Sequence, residues 1–425
     1  MKKTVRDVDV AGKRVLVRVD FNVPMENGQI ADDARIRASL PTIRYLMERG
    51  ARVILISHLD RPDGFVIEAM RMNPIAERLA SLLRAPVAKV NNCIGPEVQE
   101  TVRQLQPGQV LLLENVRFHP GEMVNDAHFA ARLSSIADLY VNDAFATAHR
   151  AHASTTGVAR YLPAIAGLLM ENELEGLRRI HGQIRAPVVV LLGGARLVDK
   201  AHFIDFFIDR VNEPHADDAN RLLAAGVLGN TFLHARGIET GQSKVDREAV
   251  ALAREMLADL GPHLMLPVDV MITRASNPTA PARAVAIDRI PVDGYILDIG
   301  PQTIDRFTRT MQAAATIIWN GPVGQTSEGE ATEGSYTIAR KIAGLKNVIT
   351  IAGGGDTLSV LDRAGVSKEF GYLSTGGAAF LDALRGRPMP GINVLEEAPA
   401  PAPSVAPDAN GALLRQDKQD TGGTA

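Results

Sequence analysis

The sequence predicts an α/β protein made of two modules, each built on a parallel sheet. At 425 residues the chain is longer than one hydrophobic core usually accommodates, and two domains are the natural expectation. From residue 14 onward, short apolar strands alternate with stretches of helical periodicity, which is typical of parallel strands covered by helices on both faces. In the second half, five apolar runs each lead directly into glycine and then into a helical stretch.

The composition is that of a globular enzyme and excludes several classes of protein. Hydrophobic residues make up 46% of the chain and charged residues 22%, and the net charge is -3, which argues against a general nucleic-acid or membrane-surface role. The single cysteine, Cys93, excludes an internal disulfide framework. No apolar stretch resembles a secretory signal or a membrane span. We therefore expect a cytoplasmic protein with no nucleic-acid or membrane partner.

Polar and basic residues follow four successive strands of the first module. The strands lie in RVLVRVDFNVP from Arg14, in ARVILIS, in QVLLLENVRFHP and in DLYVN, with a helix predicted over 34–50. Ligands of parallel sheets gather where the strands end. The side chains at these ends, with one from the first connection, are Asp20, Asn22, Arg35, His58, Arg61, Arg117, His149 and Arg150, hereafter the strand-end cluster.

The strand-end cluster predicts a small anionic ligand. One arginine alone would be interpreted as a solvated surface residue, but recurrence of a cation at four strand ends favours a binding site. Converging guanidinium groups suit a phosphate or a carboxylate better than an extended polymer.

The second module carries glycine where the first carries basic side chains. Gly193 and Gly194 follow the strand APVVVLL and precede Arg196, Asp199 and Lys200, while Asp356 follows a run of three glycines. Glycine at a strand-to-helix junction allows close approach of the backbone to phosphate, and the N–H groups of the helix attract negative charge. Neither a GxxxxGK[ST] loop nor a complete GxGxxG is present. These features predict a phosphate site in which Asp356 holds Mg²⁺.

Two further segments complete the predicted organisation. The stretch between Leu162 and Arg185 has helical periodicity and predicts one long helix joining the modules. From residue 397 to 425 the chain is rich in proline and alanine and then polar, which predicts a disordered tail.

The motifs together resemble the phosphoglycerate kinase family over nearly the whole chain, from about Lys13 to Leu395. The resemblance is carried, in the order of that family, by RVDFNVP, RIRASLPTIRYL, SHLDRP, CIGPEV, LLLENVRFHPGE, VNDAFATAHRAHAST, LPVDV, WNGPVG, GGGDT and STGG. It implies two Rossmann-like, doubly wound domains that face each other across a cleft and are joined by a long helix and a hinge. The implied divisions are 1–165 for the phosphoglycerate-binding domain, 166–185 for the interdomain helix and 186–380 for the nucleotide-binding domain, with 381–395 returning to the first domain.

The resemblance also implies a reaction. Such enzymes transfer the acyl phosphate of 1,3-bisphosphoglycerate to Mg-ADP, giving 3-phosphoglycerate and ATP reversibly, in glycolysis, gluconeogenesis or carbon fixation, and they work as monomers. The positions that match the family's acid-binding residues are Asp20, Asn22, Arg35, His58, Arg61, Arg117 and Arg150. The positions that match its nucleotide-binding residues are Lys200, Asn320, Gly354, Gly355, Asp356 and Thr357, with Asp356 on the metal and Glu328 as a substitute for the family's ribose-binding acid. Arg35, Arg196 and Lys200 are implied to surround the transferring phosphoryl group.

Several positions depart from the family pattern, chiefly in the nucleotide half. Arg196 stands in place of a lysine, Ala225 and Val227 replace two glycines of a triplet, Thr326 and Ser327 replace Phe-Glu, and Ala378 replaces a glycine. In the acid-binding half, Asp60 replaces a glycine and adds a negative charge. These changes leave a second hypothesis open, a non-catalytic phosphoglycerate-binding protein with a degraded nucleotide site. A nicotinamide dehydrogenase is disfavoured by the missing GxGxxG.

Overall fold

Two six-stranded parallel sheets form the framework of the molecule. The computed structural model describes residues 1–212, 218–274, 281–327, 330–331 and 333–398. The predicted tail lies outside the described residues from residue 399 onward. Within the described residues, no helix is long and apolar enough to cross a membrane.

The first sheet contains the four strands predicted from the sequence and two more. Its strands run in the order β5-β6-β4-β1-β7-β8, and all of its pairings are parallel. The elements of this module are β1 (Arg14–Arg18), β2 (Met25–Glu26), β3 (Gln29–Ile30), α1 (Ala34–Glu48), β4 (Arg52–Ile56), α2 (Asn73–Leu83), β5 (Val87–Lys89), α3 (Pro96–Gln104), β6 (Val110–Leu112), α4 (Ala127–Ser134), β7 (Leu139–Asn142) and β8 (Ala164–Ala166).

The second sheet has the order β11-β10-β9-β15-β18-β19 and is also parallel. The elements from the connecting helix to the C-terminal region are α5 (Leu168–His181), β9 (Val188–Leu192), α6 (Val198–Val211), β10 (Arg221–Ala224), α7 (Gly226–Ala235), α8 (Val250–Leu260), β11 (Leu264–Met265), β12 (Asp269–Arg274), β13 (Arg283–Ala286), β14 (Gly294–Ile299), α9 (Pro301–Gln312), β15 (Thr316–Asn320), β16 (Thr326–Ser327), β17 (Glu330–Ala331), α10 (Glu333–Ala343), β18 (Ile349–Gly353), α11 (Gly355–Arg363), β19 (Tyr372–Ser374), α12 (Ala378–Leu384) and α13 (Pro390–Asn393). The predicted fold class, two parallel-sheet α/β modules, is confirmed.

Strand β14, GYILDI, is one of the five apolar runs that lead into glycine, and it differs from the predicted parallel design. It pairs antiparallel with β12 in a separate three-stranded sheet of order β13-β12-β14. The physical reason is visible in its burial, since buried and half-buried residues alternate along the first part of β14 while every residue of β15 is buried. A strand with one exposed face suits an antiparallel sheet, and a strand buried on both faces suits the centre of a parallel one.

The connecting helix is shorter than predicted. Helix α5 begins at Leu168 and ends at His181, whereas periodicity predicted one helix between Leu162 and Arg185 and the family resemblance implied 166–185. The apolar residues before it form β8, which pairs with β7. Buried Asp143 and Thr42 accept hydrogen bonds from the first backbone N–H groups of α5, with distances of 2.9 Å from Leu169 N to Asp143 Oδ1 and from Leu168 N to Thr42 Oγ1. The first module therefore caps this helix.

The C-terminal segment runs back onto the first module. Asn142 Nδ2 donates to Gly391 O at 2.9 Å, and Gly391 N donates to Ala148 O at 2.8 Å. Further along, Glu396 N donates to Ala164 O at 2.8 Å, and Lys3 N donates to Glu396 O at 2.8 Å. The chain thus crosses between the modules twice, once through α5 and once after β19.

Helix α5 is fixed to the second module by a buried carboxylate and a close glycine contact. Glu173 is 3% exposed, and its carboxylate accepts hydrogen bonds from Tyr372 Oη at 2.5 Å and Thr375 N at 2.7 Å. Burial raises the pKa of Glu173, while these hydrogen bonds oppose the rise. One helical turn along, a β-carbon at Gly176 would lie 1.9 Å from Tyr372 Cε2. Only glycine allows the helix and the ring to approach this closely.

We expect Gly176→Ala to lower the free energy of unfolding by about 1–3 kcal/mol, because the added methyl group forces the helix away from Tyr372. Urea unfolding measures the change. Gly182→Ala is the matched control, since a β-carbon at Gly182, just past the end of α5, would have no neighbour within 4 Å. Equal losses in the two variants would contradict this account of the contact.

Candidate functional site

Parallel pairing brings the strand-end cluster together. Strand β1 pairs with β4 and β7, and β4 pairs with β6, so the carboxyl ends of all four strands are neighbours. Asp20 and His58 follow β1 and β4 and are buried, with 3.9 Å between Asp20 Oδ1 and His58 Nδ1. Arg35, in the first turn of α1, reaches the same place and forms an ion pair with Asp20. Asp20, His58 and Arg35 therefore lie together, as the sequence indicated.

The end of β6, which Arg117 follows, is joined to this group through the backbone of Asp60. Asp60 N donates to Asn22 Oδ1 at 2.7 Å, and Arg117 donates to Asp60 O at 2.7 Å. Asp60 itself is exposed and has φ 53, a left-handed conformation that aspartate tolerates better than most residues. Asp60 thus adopts the turn conformation that glycine would also allow, and its side chain is exposed.

Positive charge accumulates at this edge without enough acid to balance it. Burial and the nearby charges of Arg150 and Arg18 lower the pKa of Arg117 to about 10. Burial and the charge of Arg61 lower the pKa of Arg150. Burial, together with four arginines, lowers the pKa of His58 well below its ordinary value. A bound anion would stabilise the charged forms of arginines that repel one another in this way.

The sequence reasoning missed Arg18, the most deeply buried member of this edge. Arg18 is the last residue of β1 and is 1% exposed. Its guanidinium group lies 3.1 Å from His58 Nδ1 and 2.9 Å from Ser154 Oγ. The one available signal was an arginine inside an apolar strand, where a charge is rare unless it is paired. His149, which the sequence did indicate, accepts from Arg150 Nε at 3.0 Å and so lies beside the edge as a neighbour of Arg150.

Lys200 occupies the corresponding edge of the second sheet. Strands β9, β15 and β18 are adjacent there, and Lys200, in the first turn of α6, donates to Gly193 O and, at 2.9 Å, to Asn320 O. Burial of the ammonium group lowers the pKa of Lys200 to about 8, although Asp356 and Asp199 act in the opposite direction. The ammonium is therefore held at the glycine turns and loses its proton at a lower pH than an ordinary lysine does.

Asn320 and Thr357 hold the glycine turns in place. Asn320 Nδ2 donates to Gly353 O at 2.7 Å. Thr357 Oγ1 accepts from Gly321 N at 2.8 Å and donates to Gly353 O at 2.9 Å. Both side chains are buried, so their role in the structure is to fix the backbone around the α11 N-terminus. Gly354, at φ 97, gives that backbone a conformation that favours glycine.

The altered glycine triplet retains glycine at the position that requires it. Gly226 has φ 61, and a β-carbon there would lie 3.1 Å from Gly194 N. Ala225 has φ -144, an ordinary extended conformation, and its methyl group packs in the core. Val227 lines a pocket of about 140 Å³ with Asn230, Pro267 and others. Of the two replacements, only Val227 therefore faces a place where a ligand would be affected.

The remaining predicted residues of this half are exposed or half-buried, or lie outside the described part. Arg196 and Asp199 are exposed, with 3.8 Å between Arg196 Nε and Asp199 Oδ2. Asp356 is exposed in the first turn of α11. Ala378 is the first residue of α12, a helical position that does not require glycine. Glu328 lies outside the described residues.

The two edges face each other. A β-carbon at Gly355, the first residue of α11, would lie 3.5 Å from Arg35 Nε, and one at Gly376 would lie 2.4 Å from Phe145 Cε1. A cavity of about 610 Å³ between the modules is lined by Asn22, Arg35, Asp60, Gly355 and Asp356, among others. Asn22 and Arg35 of the strand-end cluster and the N-terminus of α11 thus line one cavity.

Comparison with known proteins assigns the chain to a family. A family model described as phosphoglycerate kinase matches residues 5–387. A protein of Pelotomaculum thermopropionicum named phosphoglycerate kinase is 47% identical over 397 residues, which cover 93% of this chain and 99% of that protein. A protein of the same name from Moorella thermoacetica is 45% identical over 93% of this chain and 99% of its own length.

Solved structures agree with the sequence relatives. The phosphoglycerate kinase structure from Coxiella burnetii matches with a TM-score of 0.67 and 36% identity, covering 93% of this chain and 98% of that one. The structure from Pyrococcus horikoshii OT3 matches with a TM-score of 0.80 and 29% identity over the same shares. Two facing parallel-sheet modules, a positive edge opposite glycine turns and a match over nearly the whole length together show that the chain belongs to the phosphoglycerate kinase family.

Proposed function

We propose that the chain catalyses reversible phosphoryl transfer between 1,3-bisphosphoglycerate and Mg-ADP, giving 3-phosphoglycerate and Mg-ATP. One observation carries the residue assignment, namely the shared cavity in which Arg35 of the first module lies against the N-terminus of α11 in the second. Phosphoryl transfer requires two anionic substrates to be held in line, with positive charge around the moving group. The cavity offers Arg35 of the strand-end cluster on one wall and the N-terminus of α11 on the other, where the first N–H groups of the helix have no partner within the helix.

In this proposal the first module, 1–165, binds the triose acid. Asp20, Asn22 and Arg35 follow β1, and the other cations come from the next strand ends. Burial and the charges of Arg150 and Arg18 lower the pKa of Arg117, and burial and the charge of Arg61 lower that of Arg150, so a bound anion would stabilise both charges. The residues proposed to contact the acid are Asp20, Asn22, Arg35, His58, Arg61, Arg117 and Arg150.

The second module, 186–380, binds the nucleotide. Lys200 and the N–H group of Gly355 would contact the phosphates, while Asn320 and Thr357 hold the glycine turns in place. The N–H of Gly354 is bonded to Ser374 O at 3.0 Å, so Gly354 contributes the turn itself. Exposed Asp356, at the start of α11, fits Mg²⁺, since this ion is commonly bound by one or two carboxylates with substrate phosphates. When bound, Mg²⁺ would neutralise charge on the nucleotide phosphates.

No side chain needs to act as a nucleophile in this reaction. In the direction of ATP use, the carboxylate of 3-phosphoglycerate attacks the terminal phosphoryl group. Arg35 and Lys200, from opposite walls, would stabilise the charge on that group, and Arg196 would join them by moving its exposed side chain toward the cavity. We further propose that the chain acts as a monomer, because both walls of the cavity come from one chain. We also propose that it acts in the cytoplasm.

No observation on the described residues favours the non-catalytic alternative. Lys200 and the glycine turns are intact, and Ala225 and Ala378 occupy conformations open to any residue.

We expect Asp356→Ala to lower kcat by on the order of 10²- to 10³-fold, because a site for the metal and its charge is lost. The measurement is formation of 1,3-bisphosphoglycerate from 3-phosphoglycerate and Mg-ATP in a coupled dehydrogenase assay. Asp362→Ala, an exposed acid on the same helix, is the matched control and should retain full activity. Binding of 3-phosphoglycerate without turnover of the wild type would overturn the kinase assignment.

Affinity for ADP should fall as pH rises through about 8, where Lys200 loses its charge. The protonated form below that pH attracts the phosphates, and their negative charge raises the pKa of Lys200 in the complex. Nucleotide binding above pH 8 therefore takes up protons, which calorimetry in buffers of different ionisation enthalpy detects. Lys200→Arg stays charged, so its ADP affinity should vary little between pH 7 and 9. An identical pH profile in both proteins would show that another group titrates.

Replacement of Asp60 by asparagine should tighten binding of 3-phosphoglycerate about two- to five-fold at low salt, since one exposed like charge is removed. The gain should vanish at high ionic strength. Asp63→Asn is the control, because Asp63 is also exposed and has φ 52 in the same loop. A gain that persists in high salt would point to a change of loop conformation instead of electrostatics.

A further inference from the structure

A buried polar chain lies beneath the strand-end cluster. Its first member, Glu122, is fully buried and accepts hydrogen bonds from Ser154 N at 2.9 Å and from Ser154 Oγ at 2.6 Å. Ser154, in the helical turn Ala153–Gly157, in turn accepts from Arg18 Nε at 2.9 Å. A hydroxyl has one proton, so accepting from Arg18 and donating to Glu122 fixes its direction. Glu122 also supplies the negative charge that offsets buried Arg18.

The far end of this chain meets His58. Arg18 Nη2 lies 3.1 Å from His58 Nδ1. A guanidinium group has only donors, so Nδ1 must accept and cannot carry a proton. The proton of the ring then resides on Nε2. The tautomer of His58 is thus determined by Arg18, and the position of Arg18 by Ser154 and Glu122.

The surroundings of His58 favour a neutral ring. Burial and the charges of Arg18, Arg117, Arg35 and Arg150, in that order, lower the pKa of His58. The carboxylate that faces it, Asp20, is 3.9 Å from Nδ1 and is already paired with Arg35. Among the buried polar atoms without a partner in the described part of the chain, Nε2 of His58 does not occur, and the described hydrogen bonds assign it no protein partner. Within the described part of the chain, Nε2 thus keeps its N–H for a ligand.

We propose that Glu122, Ser154 and Arg18 are positioning residues that hold His58 as the neutral Nε2–H tautomer, so that Nε2 donates a hydrogen bond to the bound triose acid. This inference rests on the proposed function of the strand-end cluster. It gives the neutral ring a defined purpose among four arginines, since a donor whose direction is fixed binds a carboxylate or phosphate oxygen without adding another buried charge.

The tautomer is measured directly by ¹⁵N NMR of the histidine rings, with His58→Gln used to assign the signal. In the unliganded wild type at pH 7, His58 should show one pyridine-like Nδ1 and one protonated Nε2. The opposite tautomer, a mixture of the two, or a doubly protonated ring would overturn the proposal. This measurement requires neither enzyme activity nor a folded variant of Glu122, Ser154 or Arg18.

Ser154→Ala tests the buried polar chain while keeping the charged groups of Arg18 and Glu122. Without the hydroxyl, Arg18 loses its fixed position, so His58 should become a mixture of tautomers and the Kd for 3-phosphoglycerate should rise on the order of ten-fold, the loss of one hydrogen bond to a charged group. The Kd for ADP should not change. Ser134→Ala is the matched control, because Ser134 is a buried serine of the same module that bonds Ala130 O at 2.8 Å, away from Arg18.

The outcomes separate this inference from the proposed function. An unchanged tautomer and an unchanged Kd in Ser154→Ala would overturn the positioning role while leaving the triose-acid site intact. Wild-type protein that shows the Nε2–H tautomer but does not bind 3-phosphoglycerate would instead overturn the proposed function of the site. Weakened binding in Ser134→Ala equal to that in Ser154→Ala would show a loss of packing and would also overturn the positioning role.

Discussion

Parallel pairing aligns the carboxyl ends of neighbouring strands at one edge of a sheet, and both walls of the cavity depend on this constraint. In the first sheet it brings together side chains from β1, β4, β6 and β7 that are up to about 130 residues apart in sequence, such as Asp20 and Arg150. In the second it places the glycine turns after β9, β15 and β18 side by side around Lys200. Because the two edges face each other, the two modules form one site between them.

The two walls attract anions by different physical means. The first uses formal charge, concentrated to the point that burial and mutual repulsion lower the pKa of Arg117 and keep His58 neutral. The second uses backbone N–H groups at a helix N-terminus, which require glycine where φ is positive or where another backbone approaches closely. Charge suits a small, compact acid, and a backbone cradle suits a chain of phosphates. The division of labour is consistent with two different substrates in the two modules.

The departures from the family pattern become easier to judge once their environments are known. Ala225 and Ala378 lie at positions with ordinary dihedral angles, and Asp60 adopts the left-handed turn that glycine would otherwise provide. Among the replaced glycine positions described above, Val227 is the one that lines a pocket of the second module. A replaced glycine matters where its conformation or its closest neighbour excludes a β-carbon, and Gly226, which meets both conditions, is unchanged.

The sequence alone determined the fold class and the location of the strand ends and glycine turns, because apolar periodicity and glycine placement are local properties of the chain. Asn320, Thr357 and Glu328 became candidates only through the family resemblance. The sequence also led to two errors, the length of α5 and the pairing of β14, since edge pairing and the exposure of one sheet face depend on neighbours that are distant in sequence. Arg18 left one signal, an arginine inside an apolar strand, but its role beside His58 and the roles of Ser154 and Glu122 could not be found from the sequence, because a buried charge is recognised only by the partner that compensates it. That partner is supplied by segments more than 100 residues away from Arg18, so only the tertiary structure decided which side chains support the site.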